Sequence, residues 1–176
     1  MKDQQDIMEA VAGFMALSAR TAPKSRGDDY LEMKILTGEE VNQLARDMIA
    51  FGEERGKPRF DRDGANVGDS DAVLLIALKD SRPLGQNCGA CGFTTCGEME
   101  KQACEGPEFQ GPICSWRVMD LGAALGSAVK TASIFNADNR IMYRIGAVAR
   151  LNGMIQGELA VGVPISATGK SIYFDR

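Results

Sequence analysis

Histidine is missing from all 176 residues. That absence removes Ser-His-Asp and Cys-His catalysis, Cys2His2 zinc fingers and Rieske-type ligation together. Proton chemistry is left to carboxylates, lysines, water or the three tyrosines. An excess of positive charge is also lacking. The formal net charge is −4, which offers no electrostatic footprint for DNA or RNA, so no nucleic-acid partner is expected. Long apolar runs are absent as well. The longest, Ala72 to Leu78, falls far short of the roughly 20 residues of a membrane helix, and no membrane association is expected. Met1 to Asp6 carries no apolar core of the signal-peptide kind. The expected location is the cytoplasm, where thiols stay reduced.

Cysteine is present, and its spacing is the most informative feature of the chain. Cys88, Cys91 and Cys96 fall in the run NCGACGFTTC, and Cys114 follows in GPIC, giving C-x2-C-x4-C-x17-C. The five cysteines cannot all pair as disulfides, which favours a ligand role. Four soft thiolates suit an iron–sulfur cluster or zinc. Structural zinc usually takes two C-x2-C knuckles, whereas here the second half supplies a lone cysteine, so iron–sulfur is favoured. Gly89 and Gly92, each directly after a cysteine, give the backbone freedom for amides to fold in toward the sulfurs. Two residues compete as fourth ligand. Cys104 lies in a segment that reads as helical and is expected to be a small buried apolar residue. Cys114 precedes a long helix whose positive N-terminal end suits a negatively charged cluster, and is preferred.

At this length one domain is expected, residues 1–176, with 85–115 as an inserted cysteine-rich segment. Ile7, Val11, Phe14 and Met15 recur at helical spacing and predict an amphipathic first helix ending near Ala22 and Pro23. Tyr30 to Leu36 reads as a strand. Thr37 to Glu40 reads as a capping box, opening a helix with the buried stripe Val41, Leu44, Ala45, Met48 and Ile49. Gly52 to Asp71, charged and glycine-rich without periodicity, reads as a solvated loop or a lid. Ala72 to Lys79 predicts a buried strand, and Glu98 to Cys104 one or two helical turns broken at Gly106 and Pro107. The longest helical pattern places Val118, Leu121, Gly122, Leu125, Ala128, Val129 and Ala132 on one face. Small residues from Gly122 to Ala128 keep that helix slim, so close approach by a neighbour is expected. Ile141 to Leu151 predicts another helix and Glu158 to Val163 a late strand. The tail Ile172 to Phe174 is expected to add an edge strand or to dock on a partner chain.

Two near-motifs fail on their own chemistry. PISATGKS, from Pro164 to Ser171, is similar to a Walker A loop, but that loop needs a following helix to cradle phosphate, and five residues remain. Asp61 to Asn66 superficially resembles a calcium loop, yet Ala65 stands where an oxygen ligand belongs and Asn66 where the invariant glycine belongs.

The segment from Cys88 to Cys114 resembles the small four-iron, four-sulfur domain of corrinoid iron–sulfur proteins and Rnf-type electron-transport subunits. Over nearly its whole length the chain resembles a family of prokaryotic proteins described only as containing a ferredoxin domain. Ala19 to Gly27, Asp120 to Val129, Asp138 to Tyr143 and Gly162 to Lys170 carry that likeness. Without its cysteine segment, the order of elements is similar to FMN-dependent nitroreductases. Ala22 and Pro23 match their turn after the first helix, Asp120 to Ile134 their central helix, and Gly162 and Pro164 their closing strand. That resemblance implies an α+β fold, an antiparallel-dominated sheet flanked by helices, and an intertwined homodimer with flavin at the interface. The chain lacks the family's arginine-rich opening, and Lys24 and Gly27 replace the usual serine and asparagine. Arg20, Lys24, Arg26 and Lys170 are the cations left for an FMN phosphate, so weak or absent FMN binding is expected.

The reading is an iron–sulfur protein holding one [4Fe-4S] cluster through Cys88, Cys91, Cys96 and Cys114, transferring electrons to an unnamed redox partner. The alternatives are an FMN oxidoreductase coupling flavin to the cluster, and a zinc or iron–sulfur structural or sensory protein.

Overall fold

Seven consecutive residues, Ala72–Leu78, form a strand in which every side chain is buried. Strand side chains alternate between faces. Ala72, Leu74, Ile76 and Leu78 enter one apolar cluster, while Val73, Leu75 and Ala77 enter another. Such a strand has to lie inside a sheet that is covered on both sides. The computed structural model, which describes residues 3–174, has that arrangement.

In chain order the elements are α1 (Gln4–Thr21), β1 (Leu31–Thr37), α2 (Glu39–Arg55), α3 (Phe60–Gly68), β2 (Ala72–Leu78), α4 (Cys96–Lys101), β3 (Cys104–Glu105), β4 (Gln110–Gly111), α5 (Ser115–Ile134), β5 (Asp138–Asn139), α6 (Tyr143–Leu151) and β6 (Leu159–Ser166). The main sheet runs β1-β2-β6-β5 with every neighbour antiparallel, and β3 and β4 form a separate ribbon. Helices α1 and α5 cover one face through Met8, Val11, Met15, Leu121 and Leu125. Helices α2, α3 and α6 cover the other through Leu44, Met48, Phe60, Ile145 and Val148. The α+β expectation of an antiparallel sheet flanked by helices holds. Among the described residues, no helix is long and apolar enough to cross a membrane.

Helix α6 lies on β6 with almost no gap. A Cβ on Gly146 would sit 1.9 Å from the Ala160 carbonyl oxygen, and one on Gly162 would sit 2.0 Å from Ile145 Cγ2. Only glycine permits that contact.

Several expectations are corrected. Gly52 to Asp71 is not a loop, because α2 continues to Arg55 and α3 follows from Phe60 to Gly68. Phe60, Asp63, Gly64 and Val67 make the buried face of α3, and Asp63 is neutralised there by Arg62 and Arg144 at 2.7 Å each. The proposed capping box at Thr37 does not form; Thr37 ends β1 and Gly38 caps α2 without a side-chain bond. In α1 the buried face is Met8, Val11, Ala12, Met15 and Ala19, whereas Ile7 and Phe14 are each 50% exposed. Val118 and Gly122 likewise face outward from α5. The tail docks on its own chain instead of forming a strand. Tyr173 is buried, its hydroxyl shares a 2.9 Å hydrogen bond with Ser70, and Arg140 Nη1 donates to its carbonyl oxygen at 2.9 Å.

Candidate metal centre

The chain leaves the sheet at the end of β2 and is fastened at three points before it reaches the cysteines. The Ser81 amide donates to Glu158 Oε1 at 2.9 Å. The Arg82 carbonyl accepts from Arg117 Nε at 2.8 Å, and the Leu84 carbonyl accepts from Arg26 Nη1 at 3.0 Å. Asn87, at φ 48°, then turns the chain, and its Oδ1 accepts the Cys96 amide at 2.9 Å, tying the two ends of the cysteine run together. Gly89 and Gly92 have φ of 76° and 88°, the left-handed conformations expected of them. The run ends in α4, where Thr95 and Glu98 form a reciprocal capping box that the sequence reading missed.

Cys114 is the N-cap of α5, as its place before the long helix implied. Cys88, Cys91, Cys96 and Cys114 line one shallow hollow, with Pro83, Leu84, Phe93, Met99 and Trp116 among its other walls. Cys88 is exposed, Cys91 and Cys96 are partly covered, and Cys114 is buried. Cys104 does not line the hollow. It stands exposed on the β3–β4 ribbon, opposite Gly111, and the expectation of a buried residue in a helix is corrected. The ribbon pulls it out of the helical pattern because α4 stops at Lys101.

The donor set fits an iron–sulfur cluster. All four side chains are soft thiols, and no carboxylate shares the lining. Among the described residues, no three His, Cys, Asp or Glu side chains converge closely enough to hold a single metal ion. The Cys88 thiol is held below its ordinary pKa, first by the Ala90 backbone amide and then by the Trp116 indole N–H, both of which favour the thiolate.

A buried guanidinium, also missed in the sequence, supports this loop. Arg117 is 1% exposed. It donates to the Arg82 carbonyl, the Ser25 carbonyl (3.0 Å), Asp120 Oδ2 (3.2 Å) and Asp28 Oδ2 (2.8 Å), and lies 4.6 Å from the Tyr30 ring centroid. Asp120 Oδ1 in turn accepts the Ser25 amide and hydroxyl at 2.8 Å each. The signal was available: two charged residues three apart at core-facing positions of an otherwise apolar helix.

The cations considered for an FMN phosphate are differently occupied. Arg20 Nη1 binds Asp29 at 2.6 Å and the Leu31 carbonyl at 2.9 Å. Lys24 Nζ donates to the carbonyls of Ala19 and Arg20 at the end of α1, and burial lowers its pKa. Arg26 holds Leu84. Lys170 is exposed beyond the end of β6.

Residues 110–176, which include Cys114, match the family described as "Uncharacterized protein containing a ferredoxin domain (DUF2148)". An uncharacterized protein of Archaeoglobus fulgidus is 48% identical over 169 residues, covering 96% of this chain and 91% of that protein. A BluB-like flavoprotein from Clostridium difficile superimposes with a TM-score of 0.55 at 14% identity, covering 93% of this chain and 81% of that one. A nitroreductase with bound FMN from Bacteroides fragilis gives 0.55 at 10% identity, covering 97% and 81%. At such identities these two structures establish a nitroreductase-like fold and nothing more.

Proposed function

The chain belongs to the family of proteins that contain a ferredoxin domain, and from that premise we propose that it is a cytoplasmic iron–sulfur protein that transfers single electrons, holding one [4Fe-4S] cluster through Cys88, Cys91, Cys96 and Cys114. The observation that carries this reading is that four of the five cysteines line one hollow and the fifth, Cys104, points elsewhere. When bound, such a cluster supplies one-electron redox chemistry. The chain's own residues do the rest. Pro83, Leu84, Phe93 and Met99 line the hollow with apolar surface. Cys88 is the exposed member of the set, so a redox partner approaches from its side.

A homodimer completes the proposal. A Cβ on Gly122 or Gly126 would meet nothing within 4 Å, and Phe14, Leu17, Met119, Ile134 and Phe135 are exposed on the same helical layer. That slim apolar face of α1 and α5 suits a second copy, and light scattering at micromolar concentration is expected to report a dimer. Weak FMN binding is expected, because the Arg20, Lys24 and Arg26 side chains hydrogen-bond to protein oxygens. Losing two charge-assisted bonds, each worth about 1.5–3 kcal/mol, weakens FMN by a hundredfold or more. Calorimetric titration with FMN is expected to give a dissociation constant weaker than micromolar. A tighter one would restore the flavin-oxidoreductase reading. The electron-transfer reading itself is tested by EPR of anaerobically prepared, dithionite-reduced protein, where a spin-half signal supports it and a silent, colourless protein refutes it.

A further inference from the structure

A cleft of about 330 Å³ adjoins the cysteine hollow, and Pro83, Met99 and Cys114 line both. That volume lies in the range of small-molecule sites. Its lining combines apolar surface with three carboxylates, Asp80, Glu100 and Glu158. We infer that the cleft binds a small organic ammonium compound, its charge toward Glu158, Glu100 and Asp80 and its apolar body against Met99 and Cys114, and that reduction of the neighbouring centre tightens the binding. The link to reduction rests on the iron–sulfur reading; the cleft itself does not.

The charge of the lining selects the ligand. Among the described lining residues there is no lysine or arginine. The cations nearby are engaged elsewhere. Lys79 pairs with Glu32 at 2.7 Å, and Arg150 donates to Glu105 Oε2 at 2.8 Å and to the Gly157 carbonyl at 2.6 Å. Asp80, Glu100 and Glu158 are thus left without an ion pair among the described residues. Glu158 Oε1 accepts the Ser81 amide, while its buried Oε2 has no partner among the described residues. A buried carboxylate oxygen without a donor is costly, and an ammonium brings three N–H groups to such a lining. An anion is repelled there. A bare metal ion is disfavoured, because no three carboxylates or thiols converge closely enough among the described residues. Cys114 is the side chain between cleft and centre. Reduction adds one negative charge on its far side, so a cation in the cleft is held more tightly, and by reciprocity a bound cation favours reduction.

Calorimetric titration of the anaerobically purified whole chain tests the site with 2-phenylethylammonium and its uncharged counterpart 2-phenylethanol. The ammonium is expected to bind about tenfold more tightly than the alcohol. Glu158→Gln, which keeps an acceptor for the Ser81 amide, is expected to remove that preference and leave alcohol binding unchanged. Ala103→Phe places a ring in the cleft from an exposed lining position and is expected to weaken both probes. Equal affinity for the two probes, no binding of either, or ammonium binding untouched by Ala103→Phe overturns the site. If Glu158→Gln does not fold, the comparison of probes and Ala103→Phe still decide. For the link to reduction, protein is equilibrated with mediators at its own midpoint and the reduced fraction is read by EPR. Adding the ammonium compound is expected to raise that fraction and adding the alcohol is not; a fraction unmoved by the ammonium overturns the link. If the purified chain holds no iron and sulfide, the cluster reading fails, whereas the calorimetry still decides the cleft.

Discussion

Replacing Arg117 by alanine tests whether one buried guanidinium braces the loop that leads into the cysteines. The magnitude follows from what it touches. Asp28 is 46% exposed, so water takes over its lost bond at little cost. Asp120 is different: its side chain is 9% exposed and keeps two Ser25 donors on Oδ1, but Oδ2 loses its partner. The carbonyls of Arg82 and Ser25 also lose their donors. Breaking a buried ion pair from one side costs about 3–5 kcal/mol, and the Ser25 bonds place this case toward the lower end. For a chain of this size that corresponds to a fall of roughly 6–20 °C in Tm. Anaerobic urea denaturation of wild type, Arg117→Ala, Asp120→Ala and the double variant gives the coupling directly. The double variant is expected to cost clearly less than the sum of the singles, because it removes the stranded charge with its partner. A loss below about 1 kcal/mol for Arg117→Ala, or strict additivity, would refute the argument.

Cys114→Ser is expected to abolish or severely deplete bound iron, whereas Cys104→Ser leaves the visible spectrum unchanged, because only Cys114 lines the hollow; the opposite pattern would reassign the fourth ligand. Burial pushes the Tyr173 phenol up to about 12, against the opposing hydrogen bond of Ser70. An unfolded tyrosine ionises near 10, so its contribution is fully present below about pH 10 and is lost as pH rises toward about 12, by roughly 3 kcal/mol in all. The stability of wild type relative to Tyr173→Phe should therefore fall over that window, and parallel pH profiles would contradict it.

What could be read from the sequence was local or strongly patterned. Ala72 to Leu78 is apolar on both faces of a strand, and only a central position satisfies it. The cysteine run carries its own turn residues, Gly89 and Gly92. What escaped was set by tertiary contacts. Helix α1 has apolar residues on two faces, Met8 and Met15 on one, Ile7 and Phe14 on the other, and periodicity alone does not choose between them. Helix α3 was obscured because one of its buried residues is Asp63, stabilised by arginines at positions 62 and 144. Strand β5 is two residues long and exists through its pairing with Ser166 and Ile165. The bracing role of Arg117 depends on carbonyls 35 and 92 residues away in sequence.

The central claim is that Cys88, Cys91, Cys96 and Cys114 hold an iron–sulfur cluster. Iron, acid-labile sulfide and zinc measured together on protein purified under strict anaerobiosis test it most directly. The account predicts about four iron and four sulfide per chain with negligible zinc. Stoichiometric zinc without iron or sulfide would contradict it.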